Sequence, residues 1–153
     1  MKENLEPTIR FILAAEGGYA VDTGGATQMG LTIGLMKALK LDLNHDGMVD
    51  DKDVKLVDAA LVHKVFLEQF WSPIGGNDLP SGIDLVAADF AYNAGPTAAK
   101  TLLMYSTVES YTVQRMMFYK RLVIRNPAKY RDFEKGWYRR ALDACQAAIN
   151  LKG

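Results

Sequence analysis

The junction Glu16-Gly17-Gly18-Tyr19 constrains this chain more than any other stretch, because two glycines in a row end whatever helix precedes them. Upstream, the residues read as that helix: Pro7 suits a first turn, and no glycine or further proline follows until Gly17. Ile9, Ile12, Leu13 and Glu16 fall at i, i+3, i+4 and i+7, so the fourth member of an apolar stripe is a carboxylate. Partial burial and the negative end of the helix dipole both disfavour the charged form at such a position. A carboxyl that keeps its proton near neutral pH is what general acid catalysis uses. The plainer reading is a helix-edge glutamate whose headgroup reaches water. From Tyr19 to Thr32 the chain is rich in glycine and threonine and has no helical period, which predicts a turn-dominated hairpin or irregular small sheet.

Two segments in this order carry a resemblance. Glu16-Gly17-Gly18-Tyr19 is followed by Gly24-Gly25-Ala26-Thr27-Gln28-Met29-Gly30-Leu31-Thr32. The pair is similar to glycoside hydrolase family 108, the N-acetylmuramidases named for their Glu-Gly-Gly-Tyr motif, and its layout resembles that of phage-type lysozymes. The resemblance implies a mainly α, lysozyme-like helical domain with a small β-hairpin next to the catalytic helix. It also implies Glu16 as the catalytic acid and Tyr19 as a substrate contact. The linker from Tyr19 to Gly24 is shorter than the family pattern and holds one aspartate. Asp22 therefore either takes any second acidic role or is a turn residue bonding its own backbone. A paired-carboxylate mechanism would place the two groups about 5–5.5 Å apart if retaining and about 6.5–9.5 Å apart if inverting. Thr27 either positions a water or a sugar hydroxyl, or closes the hairpin.

A second motif lies at Asp42-Leu43-Asn44-His45-Asp46-Gly47-Met48-Val49-Asp50-Asp51-Lys52-Asp53. Oxygen-bearing side chains stand at loop positions 1, 3, 5, 9 and 12, with glycine at 6 and valine at 8, which is the EF-hand pattern. Asp42, Asn44, Asp46, Asp50, Asp53 and the Met48 carbonyl supply the six oxygens calcium needs at minimum. The last position is aspartate where EF-hands have glutamate, and in this the loop resembles the dockerin version. The expectation is a structural Ca2+ and no cofactor for catalysis; the alternative is a solvated acidic loop.

At 153 residues the chain reads as one compact domain. Residues 1–75 form a catalytic-motif half that includes calcium loop 42–53, and residues 81–153 form a helical half. Lysine plus arginine equals aspartate plus glutamate, 18 against 18, which argues against a general nucleic-acid binder. The lone Cys145 excludes an internal disulfide and reads as a buried small hydrophobe. The N-terminus shows no signal-peptide core, and no apolar run is long enough to span a membrane. The expectation is synthesis in the cytoplasm and delivery to the wall by another factor.

Thr32 and Asp58 in the first half mark expected helix starts, as do Ser81 or Asp84, Pro96, the Ser106-to-Glu109 capping box and Asn126 in the second. Met116 and Met117 read as core filler. Asp89, Ala91, Asn93, Ala94 and Gly95 resemble the small peptidoglycan-binding module often fused behind family 108 segments. On that reading Tyr92 and Asn93 stack on and bond to a sugar; the alternative for Tyr92 is a core aromatic. The resemblance as a whole implies a monomeric endolysin of phage or prophage. Its partner would be bacterial peptidoglycan, with no nucleic acid and no membrane insertion. It would cleave the β-1,4 bond between N-acetylmuramic acid and N-acetylglucosamine. Two other readings stay open, an inactive wall-binding module and a calcium-responsive interaction protein.

Overall fold

The computed structural model describes residues 2–22 and 25–152, without the side chains of Asp22 and Lys152. A 3-10 turn at Lys2–Asn4 leads into α1 (Leu5–Ala15), and three short strands follow: β1 (Ala20–Asp22), β2 (Gly25–Gln28) and β3 (Leu31–Thr32). The strands form one antiparallel sheet in the order β1-β2-β3, with Ala20 opposite Thr27 and Thr27 opposite Thr32. The rest is helical: α2 (Ile33–Ala38), α3 (Asp51–Lys55), α4 (Ala59–Phe66), a π-helical turn (Leu67–Trp71), α5 (Ile83–Ala94), α6 (Pro96–Thr101), α7 (Val108–Arg125) and α8 (Pro127–Lys152). The expected class, mainly α with a small sheet following the first helix, is the observed one.

By their contacts the residues group into two units, Ile9–Phe66, and Met1–Thr8 together with Leu67–Gly153. In the first, Ile9 and Ile12 of α1 are buried, as the stripe predicts, along with Ala26, Leu31, Met36, Val54, Val62 and Phe66. Each fully buried aliphatic of this kind stabilises the fold by roughly 1.5–3 kcal/mol. The sheet's middle strand β2 packs on α2 and α3, so the Gly-rich segment is seated on helices. Thr32 caps α2 by accepting the Leu35 amide at 3.2 Å, and Asp58 accepts the Leu61 amide at 2.8 Å, both as expected.

The second unit is built around α5, whose residues Ile83 to Ala91 are buried without interruption. A helix buried on all sides is a central one, and α5 packs against α6, α7, α8 and the π-helical turn. Its start differs from expectation. Asp84 is not the residue before the helix but a buried member of its first turn, where one oxygen accepts the amides of Gly82 and Leu85 and the other accepts from Asn4. The start of α7 also differs: Thr107 is the cap and Ser110 its reciprocal partner, because the Thr107 hydroxyl lies 3.1 Å from the Ser110 amide. Pro127 opens α8 as expected, and Asn126 accepts the Lys129 amide. Two core assignments are corrected. Met117 is 46% exposed on the outer side of α7, and Cys145 is only partly buried.

Candidate active site

Glu16 sits one residue beyond the end of α1, half-buried, with its amide donating to the Leu13 carbonyl at 3.3 Å. The helix therefore stops where the glycines begin. Gly17 and Gly18 are exposed, and a Cβ added at either would meet no protein atom beyond its chain neighbours within 4 Å. Internal packing does not require glycine at these two positions. Their bareness leaves an open strip of backbone beside Glu16.

The sheet is fastened to this strip. Met29 and Gly30, both at positive φ (50° and 81°), form the two-residue turn between β2 and β3, the conformation that matches the twist of a hairpin. The Met29 amide donates back to the Gly17 carbonyl at 3.2 Å. Thr27, half-buried, lies on the middle strand between Ala20 and Thr32. The backbone of Asp22 pairs with Gly25 at the end of β1. Its side chain lies outside the described residues, as do Thr23 and the first glycine of the quoted motif, Gly24.

Tyr19 is 40% exposed, and Lys55 Nζ stands 5.2 Å from its ring centroid, within cation–π range. Lys55 closes α3, the helix that begins at the acidic loop, so loop and candidate site are joined through one short helix. The sequence showed no reason to single out Lys55. It also passed over Gln28, whose Oε1 is buried with no hydrogen-bond partner among the described residues.

The acidic loop folds by bonds to its own amides. Asp42 accepts from Asp46 and Gly47, Asn44 from Asp46, and Asp46 from Met48. Gly47 takes φ +88°, the sharp turn expected of loop position 6. Asp53 is fully buried and accepts amides of Leu43, Asn44 and Asp50, of which the Asp50 amide does most to hold its carboxyl below the usual range. Asp50 and Asp53 form a capping box that starts α3. Lys52 lies 3.5 Å from Asp46 and 3.7 Å from Asp50. Among the described residues no three His, Cys, Asp or Glu side chains converge as a metal cluster. The carboxylates instead hold the loop's amides.

In the second unit, Tyr92 is half-buried with its ring 4.9 Å from that of Phe70, edge to face, and Asn93 is exposed with its amide on the Asp89 carbonyl. Asp89 is entirely buried. Its carboxylate takes Arg115 Nη1 at 2.6 Å on one oxygen and Arg140 Nη2 at 2.7 Å on the other. The residue that carried part of the binding-module resemblance is thus the centre of a core ion triad, which spacing gave no means of seeing.

A half-buried glutamate at a helix end, followed by bare glycines and a small antiparallel sheet within a mainly helical chain, defines a lysozyme-like architecture. Residues 9–95, more than half of the chain, match the Glycosyl hydrolase 108 family, and the chain belongs to that family. Its fold is similar to that of Brucella abortus SagA, with a TM-score of 0.83 over 99% of this chain and 97% of that one at 22% identity. No curated protein matches the sequence significantly.

Proposed function

We propose that the protein hydrolyses peptidoglycan as an N-acetylmuramidase, with Glu16 as the general acid. The observation that carries this reading is the placement of Glu16 at the end of α1 beside Gly17 and Gly18, where an added Cβ would meet no protein atom beyond its chain neighbours within 4 Å. A polysaccharide chain lying on that strip brings a glycosidic oxygen to the carboxyl. Glu16 donates its proton to that oxygen as the C–O bond breaks through an oxocarbenium-like transition state. Water adds to the anomeric carbon and releases a proton, so that the Glu16 carboxyl is restored for the next turnover. The cleaved bond is the β-1,4 link from N-acetylmuramic acid to N-acetylglucosamine. Asp22 and Thr27 stabilise that transition state or orient the water, and Tyr19 supplies a sugar-stacking face. Tyr92 and Asn93 are further sugar contacts on the second unit.

The acidic loop is proposed to hold one structural Ca2+ through Asp42, Asn44, Asp46, Asp50, Asp53 and the Met48 carbonyl. The spacing and the positive φ of Gly47 support it, and the carboxylates of Asp42, Asp46 and Asp50 keep lone pairs for the ion beside the amides they accept. The ion would steady α3 and, through Lys55, the ring of Tyr19.

The test of the reaction is digestion of purified peptidoglycan, with products identified by mass and by reducing end. Products ending in reducing N-acetylmuramic acid support the proposal. Products ending in reducing N-acetylglucosamine, or peptide release without new reducing ends, overturn it.

A further inference from the structure

The α7–α8 hairpin presents an outer face that the enzyme reading does not use. Val113, Met117, Lys120 and Ile124 fall at i, i+4, i+7 and i+11 on α7, one stripe of that helix. Arg131, Lys135, Tyr138 and Leu142 repeat the same spacing on α8. The two stripes adjoin: Lys120 Nζ lies 3.1 Å from Glu134, which also accepts the Tyr138 hydroxyl at 2.8 Å. Between the helices lies a groove of about 370 Å³ lined by Val113, Met116, Met117, Lys120 and Tyr138. The apolar residues of the two stripes are not core. Val113 is 55% exposed, Leu142 54%, and Ile124, towards the hairpin tip, 68%.

Charge is segregated onto the same element. The two helices hold ten lysines and arginines against four aspartates and glutamates, in a chain whose total charge is zero. Of these ten, Arg115 and Arg140 bond to Asp89 and Lys120 to Glu134, while Arg121, Arg125, Arg131 and Lys135 are exposed around the apolar stripe. A cationic rim around exposed aliphatic side chains is what an anionic lipid surface recognises: phosphates meet the cations and the aliphatics enter the headgroup boundary. A soluble polyanion would use the cations alone. Among the described residues no helix is long and apolar enough to span a membrane.

We propose that this face of α7 and α8 docks the protein on an anionic phospholipid surface. The test is co-sedimentation of the full chain with vesicles of phosphatidylglycerol and phosphatidylcholine in equal parts, and with phosphatidylcholine alone. The expected result is binding to the mixed vesicles only, weakened by salt. It should fall about tenfold or more in Arg131→Glu/Lys135→Glu and again in Val113→Ser/Met117→Ser. All four positions are exposed, so circular dichroism should show both variants folded. The proposal is overturned by no binding to mixed vesicles, by equal binding to phosphatidylcholine, or by full binding in the serine variant, which would leave a polyanion site. A dimer in sedimentation equilibrium that the serine variant dissolves would assign the face to a second copy and overturn it equally.

Discussion

The amide of Met29 donates to the carbonyl of Gly17 across 3.2 Å, fastening the β2–β3 turn to the residue directly after Glu16. Both turn residues are at positive φ, where a side chain costs about 1–2 kcal/mol and glycine costs little. Met29→Gly keeps the donor and relieves that cost, so its stability should be unchanged or slightly higher in urea denaturation. Gly30→Ala adds the cost and should be destabilising by about 1–2 kcal/mol, with slower peptidoglycan digestion as the turn shifts. Equal stability of the two variants would show that the turn does not hold this geometry.

The buried triad makes a larger prediction. Asp89→Asn takes the carboxylate away from the Arg115 guanidinium, which is 1% exposed. Removing one partner of a buried ion pair costs about 3–5 kcal/mol, because the remaining charge has no water to return to. Guanidinium denaturation of the variant should show a loss of that size. Asn93→Ala, which gives up only an exposed amide on a carbonyl, should lose less than about 1 kcal/mol.

Glu134 and Tyr138 predict a pH dependence. The Tyr138 hydroxyl, and then Lys120, hold the Glu134 carboxyl below the usual range, while burial and Glu134 push the Tyr138 phenol up to about 12. A depressed carboxyl contributes stability above its unfolded value of about 4.3, lost as pH falls through the lower folded value. A raised phenol contributes below about 10, lost as pH rises through the folded value. The melting temperature of wild type should therefore exceed that of Glu134→Gln between about pH 5 and 9, and the gap should close below about pH 4. A gap that persists in acid would remove Glu134 ionisation as its source.

Calcium should raise the melting temperature if the acidic loop holds it. At a hundredfold excess over the dissociation constant the gain is about 2.7 kcal/mol. Asp42→Ala/Asp46→Ala should abolish the shift. An identical shift in that variant, or none in wild type, would contradict the site.

Much of the fold was legible because its signals are local. The stripe Ile9-Ile12-Leu13 ends at Gly17, Thr32 and Asp58 cap the helices they precede, and Pro127 opens α8. The errors came where two local signals compete or where the decisive contact is distant. Ser106 and Thr107 both offer a capping hydroxyl, and only the geometry chooses Thr107. Asp84 reads as a cap until Asn4, 80 residues away, takes its second oxygen. Of the candidate site, Glu16 and the glycines stand out in sequence because they interrupt a period. Lys55 over Tyr19 does not, since cation and ring are 36 positions apart and meet only through the packing of α3 on β2.

The most direct measurement is the initial rate of peptidoglycan digestion by wild type and by Glu16→Gln, compared at equal melting temperature. The account predicts a fall of about 10²- to 10⁴-fold in the variant, the usual contribution of a positioned general acid. An undiminished rate from a folded Glu16→Gln protein would contradict it and move the acid to another residue.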